Sequence, residues 1–316
     1  MPLFTTFTEP VRVKYISTIL SKATIFNVLI AILTLVIPYL ICYRMQGFWL
    51  ILETFREQPQ VLFKHQALAI LEVKNADGTQ SNLIWTTFPG HRSMVDSKVF
   101  PFIRSREPDV NYDAVKDYLD IDITFPLQKD ESVFAAHIVL LFEYKLKTFT
   151  NLEMESMVYA GYVAGSNGSS YEFTGDLSLV QKQPLWSRHY DNRFNNDVVP
   201  RHSLNSKDYS LGKIIKEYAA RNVSTTLKNK YELWTTSGSS YTKEFSIIGK
   251  IMYTEDSYQC WAGIWQMLKW AWIQYFCVFI VVYSILRAFQ RTVYKARLFE
   301  TVLVVPWEKR HVQMNF

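Results

Sequence analysis

From Ala23 to Tyr43 the chain runs for 21 residues without a charged side chain, bounded by Lys22 and Arg44. At about 1.5 Å rise per residue, a helix of that length crosses a hydrocarbon core of roughly 30 Å. It is apolar on every face, whereas a helix at the surface of a soluble domain keeps one polar face. The pattern predicts a transmembrane helix over 23–43, with Pro38 late enough that local adjustment or a neighbouring helix meets the freed carbonyl. A cleaved signal peptide fits less well, because the run exceeds an h-region and Cys42-Tyr43-Arg44 offers no small-residue cleavage site. A second uncharged run of 17 residues lies between Lys269 and Arg287, with Trp261, Trp265, Trp270 and Trp272 at or before its start. Lys269 can snorkel and the aromatic rings suit the interface, so a second span is expected over 266–286.

Between the spans the period changes to two. Val61, Phe63, His65, Ala67, Ala69 and Leu71 share one parity, Asn75-Ala76-Asp77-Gly78 reads as a turn, and 83–88 returns as the second arm of a hairpin. Further strands are expected at 98–104, 118–127, 133–147, 152–163, 171–182, 226–236 and 244–254. The stretch 118–127 shows the alternation most clearly: Leu119, Ile121, Ile123 and Phe125 point one way, Asp120, Asp122 and Thr124 the other. Closely spaced strands without alternating helices predict a mainly β fold, an antiparallel β-sandwich-like domain over 44–265 flanked by the two helices. One helix is expected at 210–221, where Leu211, Ile214, Ile215 and Tyr218 share a face, and 187–208 reads as a long polar surface loop.

Charge orients this arrangement. The tail 1–22 carries Arg12, Lys14 and Lys22 against Glu9, and the tail 287–316 nets +4; with a formal charge of +5 overall, the middle is left at −1. Basic tails predict both ends cytoplasmic and the domain outside the cytosol. Membrane lipids are thus the partners of the tails, the first of which also has the apolar-basic mix of a surface-lying amphipathic segment or else is a short disordered lead. Nucleic acid is not implied. Two sequons, at Asn167 and Asn222, fall on the side where glycosylation occurs. The three cysteines, Cys42, Cys260 and Cys277, leave the domain without an internal pair; a Cys42–Cys260 bridge is the one pairing its membrane-proximal ends permit.

No enzymatic motif emerges. The six histidines (His65, His91, His137, His189, His202 and His311) show no HExxH spacing, and there is no GxSxG elbow, Walker loop or GxGxxG after a strand. His65 and His137 lie in strand patterns and read as sheet-face or core residues. One acidic cluster stands out: Asp109, Asn111, Asp113, Asp117 and Asp120 occupy positions one, three, five, nine and twelve of an EF-hand-like loop, with the Val115 carbonyl at seven. This offers a Ca²⁺ reading beside a plain acidic turn, though Ala114 replaces the usual Gly and no helices flank it. No other cofactor is suggested. Gln274 in the second span and Asn27 in the first are amides suited to helix–helix contact, and neither uncharged run, 23–43 or 270–286, holds an acidic or basic side chain.

Several blocks together resemble the transmembrane protein 231 family: GFWL at 47–50, Glu57-Gln58-Pro59, His65-Gln66, WTTFP at 85–89, SRE at 105–107 leading into the acidic loop, FPLQ at 125–128, GDLSLVQKQPL at 175–185, RNVST at 221–225 and WQMLKWAWIQY at 265–275. The resemblance implies a two-pass structural protein of the ciliary transition zone. Its implied partners are tectonics, other Meckel syndrome module members and cytosolic B9-domain proteins, within a barrier that controls entry of membrane proteins into cilia. Interface candidates are Phe48, Trp49, Trp265, Trp270, Trp272 and Gln274. Two other classes share the topology: a two-pass channel subunit, whose exterior domain is usually disulfide-rich, and an accessory chaperone of a polytopic transporter.

Overall fold

The computed structural model describes residues 13–305 except 46, 76, 94–98, 129–130, 188, 204 and 237–243. Residues 1–12 of the N-terminal segment, the start of the strand expected at 98–104 and His311 lie outside the described residues. In chain order the elements are β1 (Lys14–Ile16), α1 (Lys22–Arg44), β2 (Leu52–Glu57), β3 (Gln60–Lys74), β4 (Gln80–Thr86), α2 (Pro89–Arg92), β5 (Phe102–Arg106), β6 (Tyr118–Pro126), β7 (Ser132–Leu146) and β8 (Asn151–Gln181). They continue with β9 (Leu185–Trp186), β10 (Tyr190–Asp191), α3 (Leu211–Ala220), β11 (Val223–Thr236), β12 (Glu244–Met252), β13 (Asp256–Trp261), α4 (Ile264–Lys295) and β14 (Val302–Val304). They form two compact units, one built from both ends of the chain, up to Ile51 and from Gly263, the other from Leu52–Ala262.

In the first unit Ser21 starts α1 by accepting the Thr24 amide on its hydroxyl. Both helices are long and apolar enough to cross a membrane, and 22% of the α1 stretch and none of the α4 stretch is buried. A core helix of a soluble domain would hide that surface. The second span, expected to end at 286, continues as helix to Lys295, because Phe289, Val293 and Tyr294 recur at helical spacing and two of them meet α1: Phe26 lies 6.3 Å from Phe289 and 6.2 Å from Tyr294. β1 and β14 pair antiparallel, Tyr15 opposite Leu303, and so tie the outer flanks of the two helices together.

The second unit is a sheet folded over on itself. Its order is β4-β3-β7-β8-β12-β6-β5, with β11 also on β8. The first half of β8 pairs with β7, and its second half with β11 and β12. One strand thus belongs to both layers. The two layers face each other across one core: Ala69, Leu71, Ile138, Leu140 and Phe142 of the first join Leu119, Ile121, Ile123, Tyr171, Phe245 and Ile247 of the second. Trp85 of β4 lies 6.4 Å from Phe125 of β6, although these strands are near opposite ends of the sheet order. The mainly β, sandwich-like expectation therefore stands. On the first layer's outer face α3 packs through Ile214 and Tyr218 against Leu68, Val139, Leu141 and Met157.

Several expectations need correction. The strands expected at 152–163 and 171–182 are one strand; the glycine-rich link between them is carried through the corner, where Trp234 lies against Gly168 so closely that a Cβ would clash. The sheet is not purely antiparallel, since β12 runs parallel to β8, as do the short pairs β10–β8 and β13–β9. A three-stranded sheet, β2-β13-β9, was not anticipated. The strand expected at 98–104 is Phe102–Arg106, and that at 83–88 is Gln80–Thr86, the hairpin turn closing with Gly78 at φ 74. His65 is not a sheet-face residue: the register shifts between Phe63 and Gln66, and His65 stands exposed in that bulge at φ 54. The polar stretch 187–208 is pinned, with Asp191, Val198 and Val199 buried. All three cysteines are free thiols, so the Cys42–Cys260 bridge is absent.

Candidate functional site

The helix pair is built from small and polar residues at its two ends. At one end Cys42 and Ala271 let the helices approach, and Phe48 fills the space beside them with Tyr275 and Val278. Gln274 donates to the Gly47 carbonyl at 3.3 Å, and the Tyr275 hydroxyl to that of Leu35 at 3.3 Å. At the other end Asn27 Oδ1 accepts from Gln290 Nε2 at 2.7 Å and from the Tyr294 hydroxyl at 2.8 Å. Low-numbered residues of α1 thus meet high-numbered residues of α4, which makes the pair antiparallel and sets Lys22 and Arg291 at one end and Arg44 and Lys269 at the other. Asn27 bonds directly across the helix pair, whereas Gln274 reaches the Gly47 carbonyl beyond the end of α1; Gln290, assigned by sequence to the tail, was missed. Of the interface candidates, Phe48 is buried within this pair, whereas Trp49, Trp265, Trp270 and Trp272 remain exposed, Trp265 at 84%.

In the second unit the motif residues turn out to be joints. Glu57 Oε1 accepts the Lys147 and Thr148 amides at 3.0 and 2.9 Å and the Thr148 hydroxyl at 2.8 Å, while Oε2 accepts the Tyr258 hydroxyl at 2.6 Å. Burial works to raise this carboxyl, but the hydrogen bonds from Tyr258, Lys147 and Thr148 outweigh it and hold it below its ordinary range. Its neighbour Gln58 donates to the Tyr253 carbonyl at 3.2 Å. Glu107 accepts the Phe63 amide at 2.9 Å and the Tyr253 hydroxyl at 2.8 Å. Arg221 reaches the Glu155, Phe194 and Asn196 carbonyls, and Thr225 bonds the Met157 carbonyl and shares the Tyr218 hydroxyl. Each joins segments distant in sequence.

The acidic loop curls as an EF-hand-like pattern would, Ala114 taking the left-handed φ of 67 where Gly is usual. Its oxygens serve the loop itself: Asp109 accepts the Asp113 and Ala114 amides, Asp113 the Val115 amide and the Asn111 side chain, and Asp117 the Val110 amide at 2.6 Å. Asp120 pairs with Arg106 at 3.0 Å. Among the described residues no group of three or more His, Cys, Asp and Glu is placed to hold a metal ion. The carboxylates of Asp109, Asp113 and Asp117 are thus engaged with backbone amides of the loop itself. His137 meets the Tyr159 hydroxyl at 3.0 Å on the sheet face, and burial pushes the His91 imidazole below its ordinary value where it stacks on Tyr209. Asn167 and Asn222 are both exposed.

A family model described as Transmembrane protein 231 matches residues 1–303. The chain belongs to the transmembrane protein 231 family. The relative of that name from Xenopus tropicalis is 34% identical over 303 residues, 96% of each chain. Those from Homo sapiens and Mus musculus are each 34% identical, over 96% and 89% of each chain respectively. Among solved structures, a cryo-EM structure of a proton-activated chloride channel aligns over 86% of this chain and 99% of that one at 7% identity, with a TM-score of 0.29, too low to support an argument. This transmembrane protein 231 family member is thus a membrane protein with two candidate spans. Its motif residues, Glu57, Glu107, Arg221 and Gln274 among them, act by fixing the two units internally.

Proposed function

We propose that this protein is a structural, non-catalytic component of the ciliary transition-zone membrane. In this reading it crosses the bilayer twice with both tails cytoplasmic and the folded region lumenal or extracellular, glycosylated at Asn167 and Asn222. It holds tectonics and other Meckel syndrome module members through its spans and outer domain, and B9-domain proteins through its tails. The assembly supports the diffusion barrier that controls ciliary membrane-protein composition. The observation that carries the reading is the antiparallel helix pair, self-satisfied at its polar contacts yet with most of its apolar surface exposed to lipid or to partner helices. The uncharged runs 23–43 and 270–286 offer no acidic or basic side chain to line an ion path. Imaging the tagged full chain in ciliated cells against a ciliary-base marker tests the assignment. Confinement to the ciliary base is expected, and diffuse plasma-membrane signal would overturn it.

A further inference from the structure

Residues of α1 and α4 line a groove of about 430 Å³ next to the Asn27–Gln290 contact, within the range of small-ligand sites. Its walls are apolar: Ala31 and Leu35 on α1, Phe279 and Tyr283 on α4. At one end it is polar, where Gln290 and Asn27 close the floor and Arg287, the first charge after the span, stands over the Tyr283 ring at 5.7 Å from its centroid. Arg287 is exposed and, among the described residues, has no carboxylate partner, so its guanidinium at the polar end of the groove is free to meet an anion. A guanidinium left unpaired at the head of an apolar groove, at the level where the span ends, complements one kind of occupant: an anionic head with a hydrocarbon tail.

We propose that this groove is a binding site for one anionic phospholipid of the leaflet facing the tails. The net-negative head, in phosphatidylserine the phosphate together with the serine carboxylate, sits on Arg287, and an acyl chain runs past Tyr283 and Phe279 towards Leu35. The leaflet assignment rests on the two-pass orientation proposed above; the site itself requires only that both helices are in a membrane.

The test is native mass spectrometry of the full chain released from nanodiscs of phosphatidylcholine with a minor fraction of phosphatidylserine. Nanodisc leaflets have the same composition, so an inverted topology would leave the result unchanged, and failure of the orientation is distinguishable from failure of the site. One phosphatidylserine should stay bound per chain. Arg287→Gln should lower its retention about ten-fold, the size that loss of one charge-assisted hydrogen bond gives. Ala31→Leu should abolish retention by filling the groove without altering charge. Arg291→Gln, off the groove, should retain the lipid. Equal loss in Arg291→Gln and Arg287→Gln, undiminished retention in Ala31→Leu, or no preference over phosphatidylcholine would overturn the proposal. So would a dimer without bound lipid that Ala31→Leu dissociates, since the groove would then hold a second copy.

Discussion

Replacing Glu57 with alanine removes a carboxylate that accepts four hydrogen bonds, three from the 147–148 corner and one from Tyr258. The corner donors are exposed and regain water. The Tyr258 hydroxyl belongs to a side chain that is 1% exposed, and losing its partner is the costly part. One buried orphan together with the lost charge-assisted bonds amounts to about 2–3 kcal/mol. For a region of this size that lowers Tm by about 4–12 °C. Glu57→Gln keeps an acceptor for the corner and loses only the charge, so about 1 kcal/mol is expected. The pH dependence has a definite sign. The folded carboxyl lies below its ordinary value of 4.5, so its contribution is complete above that value and disappears as pH falls through the folded value. The gap between wild type and Glu57→Gln should thus be full at neutral pH and close in acid. The assay is thermal unfolding of the detergent-solubilised full chain, followed by protease resistance of the Leu52–Ala262 region, with the surface residue Glu217 changed to alanine as control. A shift under about 1 °C for Glu57→Ala would mean that Tyr258 does not depend on this carboxylate.

Two glycine substitutions should act in opposite directions in the same assay. A Cβ at Gly249 would lie 2.4 Å from the Phe173 ring and 2.9 Å from Ile121, so Gly249→Ala should destabilise by about 1–3 kcal/mol; Gly212→Ala in α3 meets nothing within 4 Å and should stabilise by about 0.5 kcal/mol. Cys260 is buried, and burial, with Glu53 and Glu57 adding to it, pushes its thiol up to about 11. It should therefore resist maleimide at pH 8 in the native protein and react once unfolded; rapid native labelling would contradict its placement.

How far the sequence disclosed this fold depends on how local each signal was. α1 needs only its own uncharged run, β6 only its alternation, and α3 only the spacing of Ile214 and Tyr218. β2 was illegible because Glu53, Arg56 and Glu57 break any apolar face, and β13 because a six-residue strand reading DSYQCW carries little period. The continuity of β8 past Gly161, Gly165 and Gly168 is held by its neighbours, β7 opposite Gly161 and Gly168 and β11 opposite Gly168, and the parallel pairing of β12 with β8 is long-range and leaves no trace in either segment. The motif carboxylates were visible as residues, but their donors lie up to 201 positions away, as for Glu57 and Tyr258. Within the spans, Asn27 and Gln274 were readable as polar residues in an apolar field. Gln290 was not, because it lies beyond Arg287, where amides are ordinary.

In the proposed topology α1 and α4 cross the membrane side by side, with the basic tails on one side and the Leu52–Ala262 region on the other. Protease added to sealed microsomal vesicles that carry the full chain tests it most directly, with glycan loss scored separately for Asn167→Gln and Asn222→Gln. The expected result is a protected core that carries endoglycosidase-sensitive sugar, lost stepwise in the two variants, while tags on both tails are digested. Digestion of that core with both tags spared, or an unglycosylated core in wild type, would contradict it.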